Sequence, residues 1–176
     1  EDSTWYIDPI KSESINTSYF EGSATISDTS FDEDETATQT MIFVSDRNSE
    51  KSLTDLYSVQ RIDDKWGDAK PIMEINTTGR ETTPFLSADG SFLFFSSDAL
   101  PGMGGYDVYY CKWENNKWGS PVNMGAAINT VNDDTHFQYF PEYGIGTIST
   151  ITDFDGYFSY DIFQFDLDAL NFPFQK

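Results

Sequence analysis

Apolar residues in this chain come in short bursts. No run exceeds four residues, and two of that length, Met41 to Val44 and Phe92 to Phe95, each end within a few positions of turn-forming residues. The clearest stretch reads as four strands, because an extended backbone sends successive side chains to opposite faces. Glu81 to Ser87 is β-prone and runs into Ser87-Ala88-Asp89-Gly90, a hairpin-turn signal. Phe92 to Ser96 follows, apolar enough to predict burial on both faces. Pro101, Gly102, Gly104 and Gly105 mark Asp98 to Gly105 as irregular loop. Asp107 to Trp113 is the third strand, Asn115-Asn116 the next turn, and Trp118 to Met124 the fourth strand. The only hint of a 3.6-residue apolar period is short and weak, over Asp166 to Leu170.

The same unit occurs three times. Ile15-Asn16-Thr17 returns as Ile75-Asn76-Thr77 and as Ile128-Asn129-Thr130, and six residues after each Ile stands an acid: Glu21, Glu81 and Asp134. An Asp-aliphatic-aromatic marker recurs at Asp55, Asp107 and Asp161. Lys65-Trp66-Gly67 is matched by Lys117-Trp118-Gly119, and a strand-ending Asp recurs at Asp46, Asp98 and Asp153. Four markers in one order define a repeat of about fifty residues. Four strands and no helix per repeat describe a β-propeller blade. The fold expected is therefore all-β, with about three blades of four antiparallel strands. Residues 1–14 give the outer strand of a preceding blade, with Trp5 to Ile10 in the place of Trp66 to Ile72. Blade one spans 15–74, blade two 75–127 and an incomplete blade three 128–176, with Asn171 to Gln175 a doubtful twelfth strand. Rings close with four to eight blades, so three imply a partial ring. It is expected to belong to a six- to eight-bladed propeller, completed by remaining blades, by a second copy or by another protein.

The copies are not identical. Ser27 to Asp46 spans eight more residues than Ser87 to Asp98, and this insertion, near 28–40, carries Asp32-Glu33-Asp34-Glu35. The third copy has Phe137 for Pro84 and Pro141-Glu142-Tyr143-Gly144 for the Ser-Ala-Asp-Gly turn, and it has no Lys-Trp-Gly strand.

The run Thr83-Pro84-Phe85-Leu86-Ser87-Ala88-Asp89-Gly90, continuing to Asp98 and then Gly104-Gly105-Tyr106-Asp107-Val108-Tyr109, resembles the Pro-Asp type, WD-like repeat of TolB-like β-propellers. Trp118-Gly119-Ser120-Pro121-Val122-Asn123-Met124-Gly125 with Ile128-Asn129-Thr130 is similar to the version in Bacteroidetes cell-envelope proteins. Those propellers often accompany OmpA-like or tetratricopeptide domains, including type IX secretion components. The resemblance implies a periplasmic or outer-membrane-associated scaffold that binds protein partners and is not an enzyme.

Charge narrows the partners. Ten Lys and Arg against thirty Asp and Glu leave a net charge of −20, which argues against nucleic acid and against an anionic membrane. Spanning a bilayer by a helix takes roughly 20 apolar residues, so direct membrane insertion is not expected. One cysteine, Cys111, and one histidine, His136, preclude an internal disulfide and a Cys/His zinc cluster. A catalytic triad would have to be built around His136, whose sequence neighbours Asp134 and Thr135 say nothing of triad geometry. No cofactor is expected, with calcium at Asp153 and Asp155 the candidate ion, although the EF-hand pattern is incomplete there. Carboxylates that recur in every copy (Asp46, Asp98 and Asp153; Asp55, Asp107 and Asp161) read as loop caps accepting backbone N–H groups. Asn16, Asn76 and Asn129 belong to the repeat marker, and Trp66 and Trp118 read as blade-packing residues. The function expected is a non-catalytic protein-binding or scaffold module of a cell-envelope assembly. The alternative is a carbohydrate-active or hydrolytic propeller working at its loop face.

Overall fold

The computed structural model describes residues 9–28, 39–48 and 53–169, and among these the regular structure is antiparallel sheet with two short 3-10 turns. The first sheet runs β1 (Glu21–Ser27), β2 (Gln39–Ser45) and β3 (Asp55–Ile62), with the short β4 (Lys65–Trp66) and β5 (Lys70–Pro71) both on β3. The second repeats this order with β6 (Glu81–Leu86), β7 (Phe92–Ser97), β8 (Asp107–Glu114), β9 (Lys117–Trp118) and β10 (Val122–Asn123). The third holds β11 (Asp134–Phe140), β12 (Ile145–Phe154) and β13 (Tyr157–Asp166), with β13 at its edge. The expected strand at Asn171 to Gln175 and the acidic stretch Asp32 to Glu35 lie outside the described residues, as does Trp5 to Ile10 except for Pro9 and Ile10.

The fourth strand, expected as one piece from Trp118 to Met124, is two. Trp118 pairs with Trp113, the chain leaves the ladder with Gly119 N–H on the Lys112 carbonyl at 2.8 Å, and Val122 rejoins opposite Tyr110. Pro121 falls in the break, where its missing N–H leaves no gap in the ladder. Tight turns are made as the sequence implies. Asn115 and Asn116 sit at φ 54 and 59°, the left-handed pair of a two-residue hairpin. Asp89 holds its turn by accepting from the Ser91 N–H and the Ser87 hydroxyl. The helical hint at Asp166 to Leu170 is realised only as a 3-10 turn, Leu167–Ala169.

Alternation along the central strands builds two inter-sheet cores. Ile42, Val44 and Leu56 of the first sheet meet Leu93, Phe95, Tyr109 and Cys111 of the second. Phe92, Phe94 and Val108, on the opposite face of the second sheet, meet Phe137, Tyr139 and Ile148 of the third. Burial on both faces of β7 is thus real: every one of its residues is buried. Phe94 is fully buried, with its ring 4.8 Å from Phe137 and 5.4 Å from Tyr139, and each such pair adds about 1 kcal/mol beyond area burial. A third core, Met41, Phe43, Tyr57 and Val59, lies on the outer face of the first sheet under Ile15 and Trp66.

The first strand of each sheet carries a bulge at one repeated position. Pairing slips after Gly22, Thr82 and Thr135, and Ser23, Thr83 and His136 stand there at φ 41, 49 and 54°. Non-glycine residues in that region carry strain that the surrounding packing must offset. Here the slip lets neighbouring first strands bond across sheets. Leu86 N–H donates to Thr25 Oγ1 at 3.1 Å, and His136 N–H donates to Thr83 Oγ1 at 3.2 Å.

Candidate interaction surface

The repeat markers turn out to be one hydrogen-bonded node per sheet. In each, the acid six residues after the Ile accepts from both the backbone and the hydroxyl of the marker threonine: Glu21 with Thr17, Glu81 with Thr77, Asp134 with Thr130. Burial pushes the Glu81 carboxyl above its ordinary range despite those bonds. Burial pushes Glu21 the same way, but the Thr17 bonds and the Arg47 guanidinium, 3.2 Å away, outweigh it and the net shift is downward. The asparagines pin each node to the preceding sheet. Asn76 exchanges two bonds with the Leu56 backbone, and Asn129 does so with Val108. Asn16 is exposed and, among the described residues, donates to the Ile10 carbonyl.

The carboxylates divide by position. Asp46 accepts from Phe20 N–H at 3.0 Å and Asp98 from Arg80 N–H at 2.7 Å, both tying a strand end to the loop before its sheet. Asp153 does not belong with them. Register places Thr150 opposite Asp134 as Ser45 stands opposite Glu21 and Ser97 opposite Glu81, so Ile151 holds the third place. Its N–H goes to the Asp133 carbonyl as those of Asp46 and Asp98 go to Phe20 and Arg80. Asp153 instead accepts from Gly156 N–H in a two-residue turn, with Asp155 at φ 53° and Gly156 at φ 84°. Asp55, Asp107 and Asp161 do share one register, opposite Ser45, Ser97 and Thr150. Burial raises the Asp55 carboxyl. Asp107 is buried and caps Met103 and Gly104 N–H groups through Oδ2. Asp161 is exposed and takes the Thr152 hydroxyl.

Trp118 is buried edge-to-face on Trp113 at 5.0 Å, and Trp66 packs partly buried against the third core with Arg61 over its ring. Arg47, which the repeat comparison did not single out, closes that core. Its guanidinium donates to the Ser14 and Ile15 carbonyls and lies 5.2 Å from the Phe43 ring and 4.8 Å from the Tyr57 ring. Its signal was there to find, since Ala99 occupies the same place in the second copy.

The third sheet departs from the other two where β2 meets β3 and β7 meets β8. There the second sheet runs through a loop, residues 98–106. Here the hairpin runs on for four more pairs, Ile151 with Tyr160 out to Phe154 with Tyr157. This finger carries Phe154, Tyr157 and Phe158 between 72% and 79% exposed, and Ile162 lower on β13 is 79% exposed. Exposed apolar surface of this continuity marks interaction sites on folded proteins. From Lys117 to Lys176 no Lys or Arg intervenes, while eight Asp and Glu do.

Two clefts lie between sheets. One of about 730 Å³ runs between the outer strands of the first and second, lined by Gln60, Ile62, Lys70, Trp113, Lys117 and Trp118. The other, about 650 Å³, opens where the first strands converge, lined by Ile26, Phe85, Asp89, Tyr139, Glu142 and Leu167. Asp89 would be raised by burial, but bonds from Ser87 and Ser91 hold it below its usual value, while burial raises the Tyr139 hydroxyl. His136 Nδ1 lies 3.0 Å from Thr135 Oγ1, and burial lowers its pKa. Asp134 spends its carboxylate on Thr130, so these three residues do not form a triad. Among the described residues no three His, Cys, Asp or Glu converge as a metal site, and no helix is long and apolar enough to cross a membrane. No protein-family model matches the chain, and no curated protein matches it.

Proposed function

We propose that the chain is a non-catalytic, protein-binding scaffold module of a bacterial cell-envelope assembly, made of three propeller-type blades and acting in the periplasm or at the outer membrane. The observation that carries this reading is the aromatic finger of β12 and β13, mounted on three sheets locked together by the node asparagines. Rigid sheets bearing an exposed apolar projection are what a docking module needs. The blade reading draws on the threefold strand order and on first strands that lie side by side. Closing a ring would call for further blades or a second copy, and the outer face of the third sheet is the surface open to them. The resemblance to TolB-like repeats supports the location.

A photo-crosslinking residue at Tyr157, used in envelope fractions of the source organism, tests this. A discrete adduct is expected, absent when the crosslinker replaces Lys65 on the first sheet. No adduct from Tyr157 would count against the reading. So would hydrolysis of a glycan or peptide by the purified protein that Asp89→Asn or Glu142→Gln abolishes, since those carboxylates line the converging cleft.

A further inference from the structure

Resting on that reading, we propose the partner's chemistry: β13 receives a β-strand whose side chains alternate between apolar residues and Lys or Arg. β13 pairs with β12 along all ten of its residues. Its other edge has no strand partner among the described residues, whereas β3 and β8 carry their short fourth strands there. Tyr157 to Gln164 are exposed throughout. An open edge of this length offers alternate N–H and C=O groups to an incoming strand, and backbone pairing supplies the affinity.

Side chains then specify the occupant. Phe158, Tyr160 and Ile162 project from one face of β13, at 72%, 53% and 79% exposure, and Ser159 and Asp161 project from the other, between Tyr157 and Phe163. An added strand lays its apolar positions beside the first set and its alternate positions beside Asp161. Tyr160 reaches back across β12, where its hydroxyl donates to Asp133 Oδ2 at 3.2 Å, and Asp153 stands on β12 opposite Phe158, so Asp161 is the carboxylate that the middle of β13 itself offers an added strand. No Lys or Arg lies in the sequence between Lys117 and Lys176, so β11, β12 and β13 themselves carry no cation. A second copy fits this edge poorly, because pairing two β13 strands of a chain of net charge −20 would bring carboxylates against carboxylates.

The test uses three capped ten-residue peptides: alternating Val and Lys, alternating Ser and Lys, and alternating Val and Glu. The Val/Lys peptide is expected to bind at least tenfold more tightly than either control and to slow hydrogen exchange at the β13 amides that point away from β12. Replacing Phe158, Tyr160 and Ile162 together by Thr, a good strand former, should weaken it at least tenfold at an unchanged melting temperature. Equal binding of Ser/Lys, protection elsewhere in the chain, absence of binding, or the same amides protected at high protein concentration without peptide would each overturn the proposal. If Tyr157 gives its envelope adduct while the peptides fail, only the partner's chemistry falls. If Tyr157 gives none, the scaffold reading falls with it.

Discussion

The side-chain amide of Asn129 and the backbone of Val108 hold each other in both directions: Val108 N–H donates to Oδ1 at 2.8 Å, and Nδ2 donates to the Val108 carbonyl at 3.0 Å. The amide thus behaves as one residue of a strand, pairing with the start of β8 from a loop that belongs to the next sheet. Both partners are buried. Asn129→Ala should lower stability by about 3 kcal/mol, since it strands a buried donor and acceptor. Asn16→Ala, at an exposed amide, should change it by less than about 0.5 kcal/mol. Urea unfolding of both variants measures the difference, and equal losses would contradict the assignment.

Tyr109 and Tyr57 share one register but not one environment. Tyr109 donates its hydroxyl to the Leu100 and Pro101 carbonyls near 3 Å, while the buried Tyr57 hydroxyl has no partner among the described residues. Tyr109→Phe should therefore cost about 1 kcal/mol, and Tyr57→Phe should be neutral or stabilising. Thermal midpoints of the two variants are the readout.

A methyl group at Gly104 would sit 1.8 Å from the Asn132 backbone oxygen, whereas one at Gly119 would lie 3.4 Å from the Lys112 oxygen. Gly104→Ala must push the loop before β8 away from the third sheet, at a cost of about 1–3 kcal/mol. Gly119→Ala serves as the control, with a change under about 1 kcal/mol expected by the same unfolding measurement.

His136 sets a pH dependence whose sign is fixed. Burial lowers its pKa from 6.5. The unfolded chain then takes up a proton that the folded ring resists, so stability is full above pH 6.5 and declines as pH falls below it. His136→Asn keeps a residue that tolerates the left-handed backbone there and removes the titration. Comparing melting temperatures at pH 7.5 and 5.5 should show a decline in the parent that is smaller in the variant. An identical decline would place the proton elsewhere.

How far the sequence reaches can be judged from particular residues. The markers located the three sheets because the threonine–acid pair makes the same bonds in each, and Thr77 with Glu81 shows why the six-residue spacing holds. The bulges at Ser23, Thr83 and His136 left no trace, since three unrelated side chains occupy one backbone conformation. Asp153 misled because a carboxylate at roughly the right distance looks like a repeat member until register is known. The finger was hidden for a related reason. Asp155-Gly156 is a plain hairpin signal, but the repeat comparison favoured a loop at that point. The partner proposed for the finger is not written locally, because it depends on a strand edge that only the assembled sheet exposes.

Arg47 gives the molecule a direction. With the Phe43 and Tyr57 rings beneath it only 2% exposed, the outer face of the first sheet is packed over, while β13 at the edge of the third has no second strand partner among the described residues. Filaments grow head to tail only when each unit has two complementary surfaces free. A strand seated on β13, as proposed above, would cover that edge and leave the packed outer face of the first sheet unchanged.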